Sequence, residues 1–253
     1  MTPAESYRFA NRAEAGRLLA SALTAYANRA EVVVLALPRG GVPVAFEIAR
    51  VLNVSMGTCI VRKLGVPGQQ ELAMGAIASG GVQVFNSDVL DRIDISQEKL
   101  DQVIHREQKE LSRREELYLS TPDEIHAVPA GTGQDQSELE GNEFEGNKLD
   151  KSFQSARSVK HRVVIVVDDG IATGSTLRAA ALCLKQQQPQ KIIVAVPVAS
   201  PMACHMLRQE VDDVVCLITP SNLSAIGNWY EDFDQVSDDE VCTLLSKISP
   251  KQT

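Results

Sequence analysis

Only 4% of the 253 residues are aromatic, so a base-stacking platform for single-stranded nucleic acid is poorly supplied. Positive charge is also short: 25 Lys and Arg stand against 33 Asp and Glu, a net charge of −8. Such a chain repels phosphate backbones and anionic membrane surfaces, which argues against nucleic-acid and membrane partners. No apolar run approaches the roughly 18 residues that suggest a membrane span. Met1-Thr2-Pro3-Ala4-Glu5 has no basic stretch leading into an apolar one, so a cytoplasmic location without a secretion signal is expected. The five cysteines show no C-x-x-C spacing, and four sit in apolar runs. They read as buried thiols of a reducing compartment rather than disulfides or metal ligands. His105, His126, His161 and His205 share no metal-like spacing. The Walker A lysine, a G-x-G-x-x-G after a strand and a G-x-S-x-G elbow are missing too.

What remains is ordinary globular material, 44% hydrophobic and 23% charged. The length suits one α/β domain over 1–253, ample for a core. The acid surplus is local. Residues 121–158 hold eight acids against three bases and are rich in Gly, Asn, Gln, Ser and Glu. We expect a flexible acidic insertion there, because lengthening a loop costs only about 0.6 kcal/mol per doubling. A docking segment for a basic partner is the lesser reading of the same stretch.

The hydrophobic pattern alternates. Helical spacing covers 7–28, 42–52, 96–119 and 175–187, and continuous apolar runs mark strands at 32–37, 163–167, 192–198 and 214–218. Cys59-Ile60-Val61 reads as the end of a further strand, and Val82–Phe85 as a short one. Between these lie a Gly/Pro stretch, Gly65 to Gly68, and an Ala/Gly-rich segment through Gly81. Ser200-Pro201 and Ser237-Asp238-Asp239-Glu240 read as helix starts, the second with an apolar face of Val241, Leu244, Leu245 and Ile248. Strands alternating with helices predict an α/β fold with an open, mostly parallel twisted sheet flanked by helices.

The chemistry concentrates at 163–176. The run Val163–Val167 delivers Asp168 and Asp169 to the carboxyl edge of the sheet, where ligands of open α/β sheets bind. The loop Gly170-Ile171-Ala172-Thr173-Gly174-Ser175-Thr176 then enters a helix. Small residues before a helix N-terminus offer backbone N–H groups and hydroxyls to a phosphate. Two carboxylates cannot share that phosphate, so they suit hydroxyls or a metal beside it. A ribose 5-phosphate has this shape.

The segment resembles the phosphoribosyl pyrophosphate (PRPP) motif of the type I phosphoribosyltransferases: a hydrophobic strand, two acids, and a loop ending Thr173-Gly174-Ser175-Thr176. The resemblance implies that Asp168 and Asp169 bind the ribose hydroxyls and contribute to a magnesium site, partly through substrate and water. It implies that Gly170 and Ala172 to Thr176 hold the 5-phosphate. Leu37-Pro38-Arg39-Gly40-Gly41 is similar to the family's pyrophosphate loop, often a strained turn, in which Arg39 and Gly40 would meet pyrophosphate. Arg62-Lys63-Leu64-Gly65 lies where the family carries a mobile loop, with Lys63 the pyrophosphate ligand and Arg62 a weaker one. Asn228-Trp229-Tyr230-Glu231-Asp232-Phe233 falls in a small hood over 219–236, where Trp229 and Tyr230 could offer a flat surface to the acceptor. Taken in order, Pro-Arg-Gly-Gly-Val-Pro, Arg-Lys-Leu-Gly-x-Pro, Glu-Leu-Ala-x-Gly-Ala and Trp-Tyr-x-x-Phe resemble a bacterial phosphoribosyltransferase-like group from about Arg8 to Leu245.

The implied activity is transfer of the ribose 5-phosphate of PRPP to a nitrogenous acceptor, a nucleobase, with release of pyrophosphate. Magnesium is the implied cofactor. Arg39, Lys63, Asp168 and Asp169 would be the catalytic residues. The alternative is a non-catalytic regulatory protein that binds PRPP or a nucleotide, since fold does not settle activity. Exposed helices such as 96–119 often pair in this fold class, which leaves a homodimer open.

Overall fold

The computed structural model describes residues 7–93, 95–118 and 159–247, so the acidic insertion expected at 121–158 lies outside the described residues, as do Leu119 and Ile248. Five strands form a parallel sheet: β1 (Val32–Ala36), β2 (Ser55–Thr58), β6 (Val163–Val167), β7 (Lys191–Val198) and β8 (Asp213–Ile218). Their spatial order is β2-β1-β6-β7-β8. The central pair reads VVVLA and VVIVV and is buried at every position. β-Branched side chains fit such a doubly covered surface. Alternate residues feed opposite cores. Val32, Val34, Val163 and Ile165 join the core containing α1 (Arg12–Ala22) and α2 (Gly41–Leu52). Val33, Leu35, Val164 and Val166 join the core containing α5 (Ser175–Lys185) and α6 (Pro201–Leu207).

Caps set the helix bounds. The Asn11 side chain accepts from Glu14 N, so α1 starts there rather than at residue 7, and a 3-10 turn, Thr24–Tyr26, follows it. Ser200 Oγ accepts from Ala203 N at 3.1 Å, and Ser237 Oγ from Glu240 N at 3.1 Å, opening α6 and the last helix, α7 (Asp238–Ser246).

Of the second sheet, only the run at 82–85 was legible as a whole strand. β3 (Val61–Val66), β4 (Gln69–Ala78) and β5 (Val82–Phe85) form an antiparallel sheet in that order. The segment expected as a mobile loop is therefore a paired hairpin. Val61 begins β3 rather than ending β2, which stops at Thr58. Ala and Gly are poor strand formers in isolation. Here they lie in a strand between α5 and α4 (Gln97–Tyr118): Ala76 and Ala78 face the core of α5, and Met74 and Ile77 face the core of α4. A short helix, α3 (Ser87–Leu90), links this sheet to α4.

α4 is polar over most of its surface and grips the hairpin through Val103, Leu111 and one buried acid, Glu107, 8% exposed. Arg62 of β3 donates to Glu107 Oε2 from Nε (2.9 Å) and Nη2 (2.7 Å), and Arg106 donates to Oε1 at 3.0 Å. Replacing this acid leaves two guanidiniums short of an acceptor. Glu107→Gln is therefore expected to lower stability by on the order of 2 kcal/mol, read as a lower urea midpoint.

Candidate functional site

The carboxyl end of β6 carries the two acids into a crowded corner. Asp168 Oδ1 accepts from Asp169 N at 2.9 Å, turning the first carboxylate back over the strand end. Asp169 Oδ2 accepts from Arg12 Nε at 2.8 Å, with both side chains largely buried. Arg12 Nη1 also donates to Asp234 O at 2.8 Å, and its guanidinium lies 3.8 Å from the Phe233 ring centre. Tyr230 Oη donates to Asp169 O at 2.7 Å. On the other side stands the turn between β1 and α2. A methyl group on Gly40 would come within 2.1 Å of Asp169 Oδ2, so no larger residue fits without moving the acid. The Pro38–Arg39 peptide in this turn is cis.

Burial drives the electrostatics. It holds the Asp168 carboxyl well above the usual carboxylate range, and the neighbouring Asp169 charge adds to the effect. Burial raises Asp169 too, while the Arg12 guanidinium pulls it back. The Tyr230 phenol is pushed up by burial first and Asp169 second. The Cys59 thiol is pushed up to about 12 by burial, so it is no thiolate near neutrality. All five cysteines are free.

Beyond the acids the loop is braced from β7. Ile171 N donates to Val198 O at 2.8 Å, Ser200 N to Ile171 O at 3.0 Å, and Ser200 Oγ to Ala172 O at 2.9 Å. α5 then starts with Gly174 as its N-cap, in the left-handed region at φ 77°. That residue has no side chain to cap the first turn, and Ser175 N reaches only Thr173 Oγ1 at a long 3.5 Å, an end suited to an anion. Thr173 Oγ1 and Ser175 Oγ lie 3.3 Å apart, and Lys63 Nζ donates to Ser175 Oγ at 3.3 Å.

A cleft of about 490 Å³ opens here between the two sheets. Its walls include Pro38, Lys63, Asp168 and Thr176, together with Arg106 and Arg114 of α4. Three expected site segments thus meet: the first acid, the phosphate loop and Lys63. Of the others, Arg62 lines the cleft as well, held on Glu107. Arg39 is off the cleft wall, and its Nη1 sits 3.8 Å from Asp238 Oδ1 at the start of α7. Tyr118 Oη also donates to Asp238. Tyr230 is 3% exposed, stacked on Phe233 at 4.8 Å, so its ring is a strut rather than an open face. Trp229 is half-buried against the cluster of Phe9, Val198 and Tyr230.

Arg12, Arg106 and Arg114 escaped sequence reasoning. Arg12 is one polar residue of an amphipathic helix, and nothing local marks its partner 157 residues away. Arg106 and Arg114 sit in a helix crowded with charge and look like a solvated face.

Among the described residues no group of three or more His, Cys, Asp and Glu comes together. An all-protein metal cage is thus not built. Magnesium fits differently: it takes one or two carboxylates and fills the rest of its shell with substrate phosphate oxygens and water. Asp168 on the cleft suits that arrangement.

Comparison with known proteins gives the family. The phosphoribosyl transferase domain model matches residues 8–232. A protein of Mycobacterium tuberculosis, curated under two strains and assigned provisionally by name to the phosphoribosyl transferases, is 38% identical over 239 residues. The match covers 94% of this chain and 46% of that protein, so the chain spans about half the length of the curated relatives it matches. The crystal structure of TT1426 from Thermus thermophilus is similar at 36% identity and a TM-score of 0.75, covering 96% of this chain and 99% of the other. The chain belongs to the phosphoribosyltransferase family and has the type I fold. Among the described residues, no helix is long and apolar enough to cross a membrane.

The raised Asp168 has a consequence for the ligand-free protein. An acid that holds its proton more tightly when folded stabilises the fold below its unfolded pKa. That stabilisation is lost as pH rises through the folded value. Asp168→Asn keeps the acceptor oxygen and removes the buried charge. It is expected to melt higher than wild type at pH 8, with the difference shrinking towards pH 4 in thermal scans.

Proposed function

We propose that this chain is a PRPP-dependent phosphoribosyltransferase that transfers ribose 5-phosphate to a nitrogenous acceptor, a nucleobase, and releases pyrophosphate. The observation that carries the reading is the single cleft shared by Asp168, Thr176 and Lys63, with the N-terminus of α5 at its edge and Lys63 within reach of Ser175. A ligand must then be anionic at one end and hydroxylated a few ångströms away. Family membership supports the same substrate class.

In this reading the 5-phosphate sits on the N–H groups of α5 and the hydroxyls of Thr173, Ser175 and Thr176, with Gly170, Ala172 and Gly174 shaping the loop. The phosphate is a remote anchor whose binding energy aligns the reacting end. Asp168 takes the ribose diol, with Asp169 behind it. Lys63 faces the pyrophosphate, the turn that carries Arg39 and Gly40 reaches the cleft through Pro38, and the guanidiniums of Arg106 and Arg114 add positive field on the same wall. Magnesium, when bound, would neutralise charge on the leaving pyrophosphate. The glycosidic C–O bond breaks as the acceptor nitrogen forms the C–N bond on the opposite face, through an oxocarbenium-like transition state. No covalent protein nucleophile is required. The side chains position the groups and stabilise developing charge. Trp229 and the rest of 219–236 cover the acceptor side.

The test is pyrophosphate release from PRPP and magnesium across a panel of purine and pyrimidine bases. Release with one acceptor, reduced at least about a hundredfold in both Lys63→Gln and Asp168→Asn, is the expected result. Tight PRPP binding with no release for any acceptor would favour the regulatory, non-catalytic reading. Unchanged turnover in Asp168→Asn would sink the assignment.

A further inference from the structure

α4 packs one stripe of its surface against β3, β4 and α7. Val103, Glu107, Leu111 and Tyr118 on that stripe are buried. Arg114 follows Leu111 by one turn and Glu107 by two, so helical periodicity places it on the same stripe. A guanidinium is out of place among packed side chains unless something meets its charge. Glu107, the other charged residue of the stripe, has both carboxylate oxygens met by Arg62 and Arg106. Arg114 is met on one edge only. Its Nε donates to Glu110 Oε1 at 2.8 Å, and among the described residues Nη1 and Nη2 make no hydrogen bond. Its side chain is 24% exposed and lines the cleft.

The two terminal nitrogens form a planar, permanently charged fork of the kind that meets phosphate oxygens in pairs. Glu110 holds that fork from behind and is shared with Arg113, so one carboxylate orients the guanidinium without cancelling both charges. Arg106 differs. Its side chain is 64% exposed, and its Nε and Nη2 both lie 3.0 Å from Glu107 Oε1. It adds positive field but keeps no directed edge for a ligand. Place along the cleft matters as well. Asp168 and Thr176 stand at the end of β6 and the start of α5, and α4 is a wall supplied from beside the second sheet. One turn beyond Arg114, Tyr118 donates to Asp238, which also approaches Arg39 of the turn behind Pro38. Arg114 therefore stands on the side of the β1–α2 turn.

We propose that Arg114 is a specificity residue of the cleft: its open Nη edge receives the terminal phosphate of a pyrophosphate group, so that a ribose phosphate carrying pyrophosphate is held more tightly than one lacking it. This deepens the proposed function and rests on it for the identity of the ligand. The anion-binding edge itself rests on the geometry of α4. Arg114 complements Lys63 rather than duplicating it, because an ammonium is a point charge whereas a fork fixes the orientation of the group it binds.

The experiment measures affinity by calorimetry for magnesium–PRPP, magnesium–pyrophosphate, ribose 5-phosphate and inorganic phosphate. Wild type is compared with Arg114→Gln, Arg114→Lys and Arg106→Gln, and melting temperature is recorded for each. Arg114→Gln should weaken PRPP and pyrophosphate by a common factor, roughly ten- to a hundredfold, as loss of a charge-assisted contact does, and leave ribose 5-phosphate within about twofold. Arg114→Lys should recover only part of the loss, because an ammonium cannot make the paired contact. Arg106→Gln should weaken PRPP by no more than about threefold, as a screened exposed charge does. The inference is overturned if Arg114→Gln leaves PRPP and pyrophosphate unchanged. It is overturned equally if ribose 5-phosphate weakens as much as PRPP, since the change is then a general loosening of the cleft. Weaker inorganic phosphate with PRPP untouched would mark a separate phosphate site and also refute it. A wild type that binds pyrophosphate through Arg114 but does not bind PRPP sinks the phosphoribosyl reading and leaves the anion edge standing. A wild type that binds PRPP without dependence on Arg114 does the reverse. Binding of none of the four ligands overturns both. Should Arg114→Gln fail to fold, Arg114→Lys decides: selective loss of PRPP over ribose 5-phosphate supports the inference, and any other pattern refutes it.

Discussion

Two carboxylates forced together at one strand end repel each other and resist burial, and the rest of this site is arranged around that fact. The hydrophobic run of β6 fixes their place, because a strand buried on both faces has no freedom to move its end. Two adjacent acids there cannot both be ionised cheaply. Asp168 responds by rising well above its usual range, whereas Asp169 finds a guanidinium. The first group is left tense in a cleft and the second is quiet in a network. Such tension is characteristic of ligand sites, where a buried acid waits for hydroxyls or a cation.

The chain's overall acidity says little about what it binds. A large share of the surplus falls in 121–158. Around the cleft the balance is reversed, with Lys63, Arg62, Arg106 and Arg114 on the wall against Glu107 and Asp168. Glu107 is shared by two arginines and Glu110 by two more, Arg113 and Arg114. Sharing one carboxylate between two guanidiniums holds them in place without cancelling their charge. The positive field is thereby local to the cleft wall, within the short Debye length of salt solution.

The parallel sheet and the acid–loop motif were legible because their signals are short-range and dense. β6 matches its expected bounds, Val163–Val167, and the loop and helix after it follow without a gap. The antiparallel sheet was largely illegible for the opposite reason. Its first two strands hold Gly65, Gly75, Ala73, Ala76 and Ala78, residues whose β-structure comes from helices on either side and from cross-strand partners. Periodicity reports such a strand poorly, because small residues interrupt its apolar alternation. Long-range pairs were beyond reach too. Arg12 to Asp169 spans 157 positions and Tyr230 to Asp169 spans 61. In both, a polar group on an otherwise ordinary element is meaningful only through its partner.

The same distances explain how the site can be both rigid and divided. The phosphate loop is tied to β7, the first acid to the strand itself, and the second acid to α1 and the hood. Lys63 arrives from a different sheet, borne on β3, and reaches across to Ser175. β3 is held by α5 and by the Arg62–Glu107 pair, so Lys63 and the acids stand on separately held elements. The loop 170–176 and the two acids are thus anchored in the parallel sheet. Lys63, the cation across the cleft, stands on the hairpin, which belongs to the separate three-stranded sheet.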